Sequence, residues 1–321
     1  MAKTIIPSYL KKGDLIAITC ASGHMNPKNA DACVKTLHEN GFEVLVGMTV
    51  NYPSKNYFSA PDDIKVEELQ AMLDAPEIKA ILFGRGGYGL SRIIDKLDFT
   101  KFRKHPKWLI GFSDITVILN HVFTNFQIAS IHSSMCGAFK SKKQIKNVQS
   151  LLNCLKGKKI NISSEAHTLN RAGKVTGELV GGNLCLVANS IGTASEIDTK
   201  DKILLIEDIG ENKYNIDRMM YQLKRAGKLN QVKALVVGTF TDIKDTERPF
   251  GKKTEEIISD IVQEFDYPVC YEFPVGHGDE NLAVKLGVTY QLDIGKNKTI
   301  RSEEHTSELQ SRQYLVCRLL L

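Results

Sequence analysis

The chain has 321 residues, 42% of them hydrophobic and 25% charged, with a formal net charge of +5. This balance fits a soluble globular protein of two ordinary domains and excludes a disordered, fibrous or membrane-embedded chain. No apolar run reaches the ~18 residues of a membrane span. The segment 1–12 is short and polar at both ends and does not read as a signal peptide. Seven cysteines are scattered along the chain without a C-x-x-C pair. That argues against a disulfide framework or a zinc knuckle and for reduced, mostly core thiols in a cytoplasmic protein. The densest basic stretch, 140–146, has no interleaved aromatics, so no nucleic-acid partner is expected.

The first half alternates strand and helix signals. Residues 15–21 read as a strand. Asn26 is a helix N-cap with Pro27 at the first helical position, and that helix runs to about residue 40. Then come a strand at 42–46, a helix at 64–73, a strand at 80–83 and a helix at 90–97. A strand at 108–112 leads into a helix at 114–126, followed by a short strand at 128–131. Repeated β-α units imply a parallel sheet with helices on both faces and ligands beyond the carboxyl ends of the strands.

From 139 to 171 the sequence turns polar and lysine-rich around one short helix, 145–155. This stretch is expected to be a linker between an N-terminal domain, 1–138, and a C-terminal domain, 172–300. In the latter, 175–180, 203–207, 234–240 and 288–294 read as strands, and 184–191, 216–226 and 254–264 as helices. Residues 301–311 resemble the translation of a sequencing adapter. The tail 301–321 is therefore expected to be non-native, and His305 and Cys317 are set aside as site candidates.

Four segments could carry chemistry. Ser113 stands where the apolar run 108–112 ends and a helix begins, a strand-to-helix turn of the kind that presents a hydrolase nucleophile beside an oxyanion site. The competing reading is a simple helix cap. Gly84-Arg85-Gly86-Gly87-Tyr88-Gly89 satisfies the dinucleotide fingerprint. However, it follows the third strand rather than the first, and no acidic residue stands about twenty positions on. The same loop could instead cradle an anion with its N–H groups, with Arg85 available for a carboxylate. Glu207 ends an apolar strand, where it could orient a base. His277 lies between glycines and has the reference pKa of a general base. Each taken singly has a bland alternative; the order Ser, Glu, His supplies the parts of a hydrolytic triad.

Together these segments resemble the LD-carboxypeptidase family of serine peptidases, which includes murein tetrapeptide carboxypeptidases and microcin C immunity proteins. The likeness runs from about residue 10 to 294. It is carried by Lys12-Gly13-Asp14, Arg85-Gly86-Gly87-Tyr88-Gly89, Gly111-Phe112-Ser113-Asp114, His132-Ser133-Ser134-Met135, Gly181-Gly182-Asn183, Glu207-Asp208 with Asp217-Arg218, and Pro274-Val275-Gly276-His277-Gly278. The resemblance implies a Rossmann/flavodoxin-like parallel-sheet α/β domain and a smaller, mixed β-rich, swivelling-type C-terminal domain. It further implies a site between them, a homodimer, and no metal or cofactor. It assigns Ser113 as nucleophile, Glu207 as orienting acid and His277 as base; the N–H groups of Gly87 and Asp114 are the expected oxyanion donors. The chain departs from the usual family pattern at Thr19-Cys20-Ala21-Ser22-Gly23, at Phe58-Ser59-Ala60, and at Lys65, where an arginine is more usual.

The expected reaction is release of the terminal D-alanine from a cell-wall tetrapeptide, with Arg85 on the free carboxylate. Three alternatives remain open on the sequence. One is an immunity-type hydrolase of acyl-sulfamoyl-adenylates, though Trp108 lies in the strand before Ser113 rather than in an inserted loop. Another is an NADP-binding oxidoreductase. The third is a non-catalytic binding protein of the same fold.

Overall fold

The computed structural model describes residues 3–159, 161–295 and 298–303. The chain divides into two compact units. One comprises the chain up to Lys158 together with Leu282–Lys285; the other comprises Lys159–Asn281 and the chain from Leu286 onward.

In chain order the first unit contains β1 (Leu15–Thr19), α1 (Lys28–Glu39), β2 (Glu43–Val46), α2 (Met48–Asn51), α3 (Asp62–Asp74) and β3 (Ile78–Phe83). These are followed by α4 (Thr100–Lys104), β4 (Trp108–Gly111), α5 (Thr116–Phe126), β5 (Ser130–His132) and α6 (Ile145–Leu155). The sheet runs β2-β1-β3-β4-β5, parallel throughout, with a sixth short strand, Val284–Leu286, beside β5. This is the flavodoxin-like order, whose switch point for ligands lies between β1 and β3. The central strands are apolar on both faces because helices cover both. Ile16 to Ile18, Ala80 to Phe83 and Trp108 to Ile110 are all buried, the pattern of a covered parallel sheet. The one tryptophan is structural. Trp108 is fully buried, its indole N–H donates to the Ser8 carbonyl at 3.1 Å, and its ring stacks on Tyr9 at 5.9 Å. Lys285 donates to the Tyr9 hydroxyl at 2.8 Å, which ties the Val284–Leu286 strand to this cluster.

The second unit contains β6 (Asn161–Glu165), β7 (Gly173–Asn183), α7 (Leu184–Asn189), β8 (Ile203–Ile209), α8 (Lys213–Arg225), β9 (Ala234–Thr241), α9 (Thr254–Val262) and β10 (Val269–Cys270). After β11, the Val284–Leu286 strand already placed in the first sheet, come β12 (Thr289–Ile294) and β13 (Lys298–Glu303). Its seven strands run β10-β9-β8-β7-β12-β13-β6. The β10-to-β7 half is parallel and the β7-to-β6 half antiparallel. The mixed, β-rich character expected of this half is therefore present.

Two expectations need correction. The segment 90–97 is not an α-helix but two 3₁₀ turns, Leu90–Arg92 and Ile94–Lys96. Its apolar positions Leu90, Ile93 and Ile94 recur at a spacing that i→i+3 hydrogen bonds satisfy equally well. The stretch 139–171 is not one linker. Helix α6 buries Val148, Leu151, Leu152 and Leu155 within the first unit, whereas β6 belongs to the second sheet. Strand β13 follows β12 and pairs with it on one side and with β6 on the other. The remainder of the expected tail, 304–321, with His305 and Cys317, lies outside the described residues. Six cysteines fall within the described residues, all as free thiols and five of them buried. Among the described residues, no helix is long and apolar enough to cross a membrane.

Near its end strand β8 carries two consecutive acids, Glu207 and Asp208, that point to different partners. Asp208 is buried and accepts from the Asn183 side chain at 2.8 Å, the Cys185 N–H at 2.9 Å and the Ile209 N–H at 2.8 Å. It thereby fastens the start of α7 to β8. Burial pushes its carboxyl up to about 6 from the usual 3.8, with the hydrogen bonds working the other way. The native state therefore holds a proton that the unfolded chain has released between those two values. This contribution to stability is fully present below about pH 4 and is lost as pH rises to about 6, a change on the order of 3 kcal/mol. Asp208→Asn removes the titration. The expected outcome is that, in calorimetric melts from pH 4 to pH 7, the variant's melting temperature gains on the wild type's as pH rises. A constant gap would contradict the assignment.

Candidate active site

The carboxyl end of β4 forms a sharp turn. The backbone leaves Gly111, passes Phe112 in extended geometry, and adopts φ 61° at Ser113. A single 3₁₀ turn, Ser113–Ile115, then leads into α5. Positive φ at a non-glycine residue costs about 1–3 kcal/mol and persists only where the surroundings over-determine it. Two glycines make room for it. A Cβ at Gly111 would meet Ile115 Cγ2 at 2.8 Å, and one at Gly86 would meet Ser113 Cβ at 2.9 Å and Oγ at 3.0 Å. Ser113 is half-buried. The helix-cap alternative fails, since Phe112 holds the N-cap position and neither the 3₁₀ turn nor α5 has a side-chain cap.

Beyond β3, the glycine loop lies against this turn. Gly23 donates to the Gly86 carbonyl at 3.0 Å and Gly84 to the Thr19 carbonyl at 2.7 Å, so the ends of β1 and β3 are held together. Gly87 has φ 105° and is exposed, with the Tyr57 hydroxyl 3.0 Å from where a Cβ would stand. Because 3₁₀ turns follow the loop, no helix N-terminus is present to receive a dinucleotide pyrophosphate. The NADP reading loses its physical basis there. Arg85 is exposed and donates to the His24 carbonyl at 2.5 Å; a guanidinium has further N–H donors in the same fork.

Asp114 is fully buried, and its Oδ2 accepts from the Ser22 hydroxyl at 2.5 Å and the Leu90 N–H at 2.8 Å. Burial raises its carboxyl above the ordinary value, while these hydrogen bonds and the nearby Lys65 lower it. Lys65 is itself buried and pairs with Asp62 at 2.8 Å. Two of the family departures, Ser22 and Lys65, thus lie beneath the Ser113 turn. Ser59, a third, donates to the Cys20 carbonyl. The sequence pattern carries no sign of this arrangement, since an isolated serine and lysine have no distinctive spacing.

In the second unit, Glu207 near the end of β8 is fully buried, and its Oε2 is 2.6 Å from His277 Nδ1. The ladder between β8 and β9 shifts register between Ile206 and Asp208. Glycines again allow the approach. A Cβ at Gly276, φ 127°, would meet Glu207 Oε2 at 2.9 Å and Thr239 Oγ1 at 2.6 Å, and one at Gly238 would meet the Val275 carbonyl at 2.3 Å. The loop is fixed by Gly276 donating to Asn281 Oδ1 at 3.1 Å and Gly278 to Thr239 Oγ1 at 3.0 Å. With Nδ1–H directed at a carboxylate, the other ring nitrogen is left as the basic one. Two of the residues singled out in the sequence, 70 positions apart, are therefore hydrogen-bonded. Asn183 and Asp208 were legible only as parts of motifs; their mutual bond is a tertiary feature.

Comparison with known proteins agrees with this architecture. The profile of the LD-carboxypeptidase N-terminal domain matches residues 16–133, and that of the LD-carboxypeptidase C-terminal domain matches 176–292. A "probable murein peptide carboxypeptidase" of Bacillus subtilis (strain 168) is 32% identical over 306 residues, covering 94% of this chain and 95% of its own. The crystal structure of muramoyltetrapeptide carboxypeptidase from Oxalobacter formigenes superposes with a TM-score of 0.81 at 26% identity, covering 90% of this chain and 98% of that one. The microcin C7 self-immunity protein MccF, solved with aspartyl sulfamoyl adenosine, shares the fold with a TM-score of 0.82 at 20% identity, covering 94% and 99%. Both domain profiles in their proper order, and a curated relative aligned over nearly the whole chain, show that this protein belongs to the LD-carboxypeptidase family of serine peptidases.

Proposed function

We propose that the protein hydrolyses the bond between the L-centre of a diamino acid and the terminal D-alanine of a cell-wall tetrapeptide, in the reuse of murein fragments. The observation that carries this reading is the Ser113 turn, with its left-handed backbone, in a chain aligned over 94% of its length with a protein named "probable murein peptide carboxypeptidase". Ser113 is the nucleophile. His277 takes the hydroxyl proton as Oγ bonds to the carbonyl carbon, and Glu207 holds the imidazole tautomer and steadies the imidazolium. The N–H groups of Asp114 and Gly87 receive the oxyanion; one such donor is worth ~2.7–4 kcal/mol of transition-state stabilisation. The C–N bond then breaks, with the proton passing from His277 to the departing amine. Water attacks the acyl-enzyme, with the same imidazole acting as base, and frees Ser113. Arg85, exposed beside the glycine loop, binds the free carboxylate of the substrate.

The chemistry is tested by D-alanine release from tetrapeptides carrying lysine or diaminopimelate. Ser113→Ala is expected to lower kcat by on the order of 10⁴-fold or more, and Glu207→Gln by roughly 10³–10⁴-fold. Undiminished turnover in Ser113→Ala would remove the nucleophile assignment. An acyl-sulfamoyl-adenylate assayed in parallel checks the immunity-type reading. Trp108, buried against Tyr9, is not disposed to stack on a base, and turnover of that compound without turnover of tetrapeptide would overturn the peptide reading. Arg85→Ala is expected to cost about 10–100-fold in kcat/KM on the free acid, and far less on a tetrapeptide amidated at its C-terminus. Equal losses on the two substrates would dismiss the carboxylate role.

A further inference from the structure

None of the steps above uses the Asp114 side chain, yet it is the buried charge nearest the proposed nucleophile in sequence. Its Oδ2 accepts two hydrogen bonds from two different loops: Ser22, beyond β1, and Leu90, where the glycine loop beyond β3 ends. Asp114 itself belongs to the turn beyond β4. Strands β1, β3 and β4 are consecutive in the sheet, so one carboxylate ties together the carboxyl ends of three adjacent strands. The packing around it leaves no slack. A Cβ at Gly89 would meet Ser22 Cα at 2.9 Å and Lys65 Nζ at 3.3 Å, and one at Gly86 would stand 3.5 Å from the Asp114 nitrogen. A carboxylate buried this completely is costly to keep unless it is hydrogen-bonded, and here the Ser22 and Leu90 bonds fix two loops.

The two proposed oxyanion donors lie on two of those loops, Gly87 on one and the Asp114 N–H on the other. Stabilising an oxyanion requires donors set in advance at a fixed separation. The Leu90–Asp114 bond joins the glycine loop to the turn directly, and the Ser22–Asp114 bond braces both against β1. We infer that the Asp114 side chain, with Ser22 as its partner, is a positioning residue that sets the separation of the two oxyanion donors. The inference rests on the reading of Ser113 as nucleophile.

The test is steady-state hydrolysis of the tetrapeptide by Ser22→Ala, Asp114→Ala, Asp114→Asn and Ser113→Ala, with melting curves for each. Asparagine can keep a carbonyl oxygen at the Oδ2 position, where the Ser22 hydroxyl and the Leu90 N–H donate. Asp114→Ala is expected to lower kcat by on the order of 100-fold, the scale of one lost oxyanion donor, with KM changed less than about threefold. Asp114→Asn should recover at least about tenfold of that loss, and Ser22→Ala should lower kcat by roughly fivefold with KM unchanged. A melting temperature that falls while kcat per folded molecule stays within twofold of wild type in Ser22→Ala and Asp114→Ala would show a merely structural role and overturn the inference. So would a rise in KM at constant kcat. Should Asp114→Ala fail to fold, Ser22→Ala decides alone by the same criterion. If Ser113→Ala remains active, the nucleophile reading falls and this inference with it. If Ser113→Ala is inactive and the other variants keep wild-type kcat, this inference alone falls.

Discussion

The left-handed backbone at Ser113 is the constraint around which the first unit is arranged. A serine does not adopt φ 61° by its own preference. The turn is imposed by the strand before it and the helix after it, both almost wholly buried, which leave one residue to reverse direction. Close packing then requires glycine at 86 and 111, since a Cβ at either would fall within 3 Å of a neighbour. The buried Asp114 carboxylate, bonded to Ser22 and Leu90, completes the enclosure. The strain, the two glycines and the buried acid are thus parts of one local solution, and each would be unfavourable without the others.

The second unit uses the same device for a different end. Its parallel half, like the first sheet, gathers side chains at the carboxyl ends of strands. Glu207 emerges near the end of β8, and Gly238 and Gly276 let the His277 loop close onto it. Asp208, the next residue, turns to the opposite partner set, as alternation along a strand requires, and holds the start of α7. One acid faces the imidazole and its neighbour braces the scaffold, so the two adjacent carboxylates do not compete for one site.

Much of the fold was legible in the sequence where burial is uniform. Strands β1, β3, β4, β8 and β9 appear as apolar runs because both faces of a parallel sheet are covered, and α6 falls at 145–155 as its spacing predicts. Legibility failed where pairing rather than burial makes the element. Strand β6 holds one large apolar side chain, Ile162, and exists because β13 lies beside it. Strand β13 likewise rests on its pairing with β12. The 3₁₀ turns between 90 and 96 carry apolar positions three and four apart, which serve either geometry.

For the candidate site, Ser113, Glu207 and His277 could be singled out from residue type, strand ends and flanking glycines, because presenting such groups demands those local patterns. The family resemblance rests on the same motifs. What the tertiary structure decided is which groups meet. His277 and Glu207 are hydrogen-bonded across 70 residues of chain, and Ser22, Leu90 and Asp114 converge from three loops. No spacing rule announces such contacts. They follow from the order in which strands are laid into a sheet, which brings distant loops to one edge and leaves close packing to determine the partners.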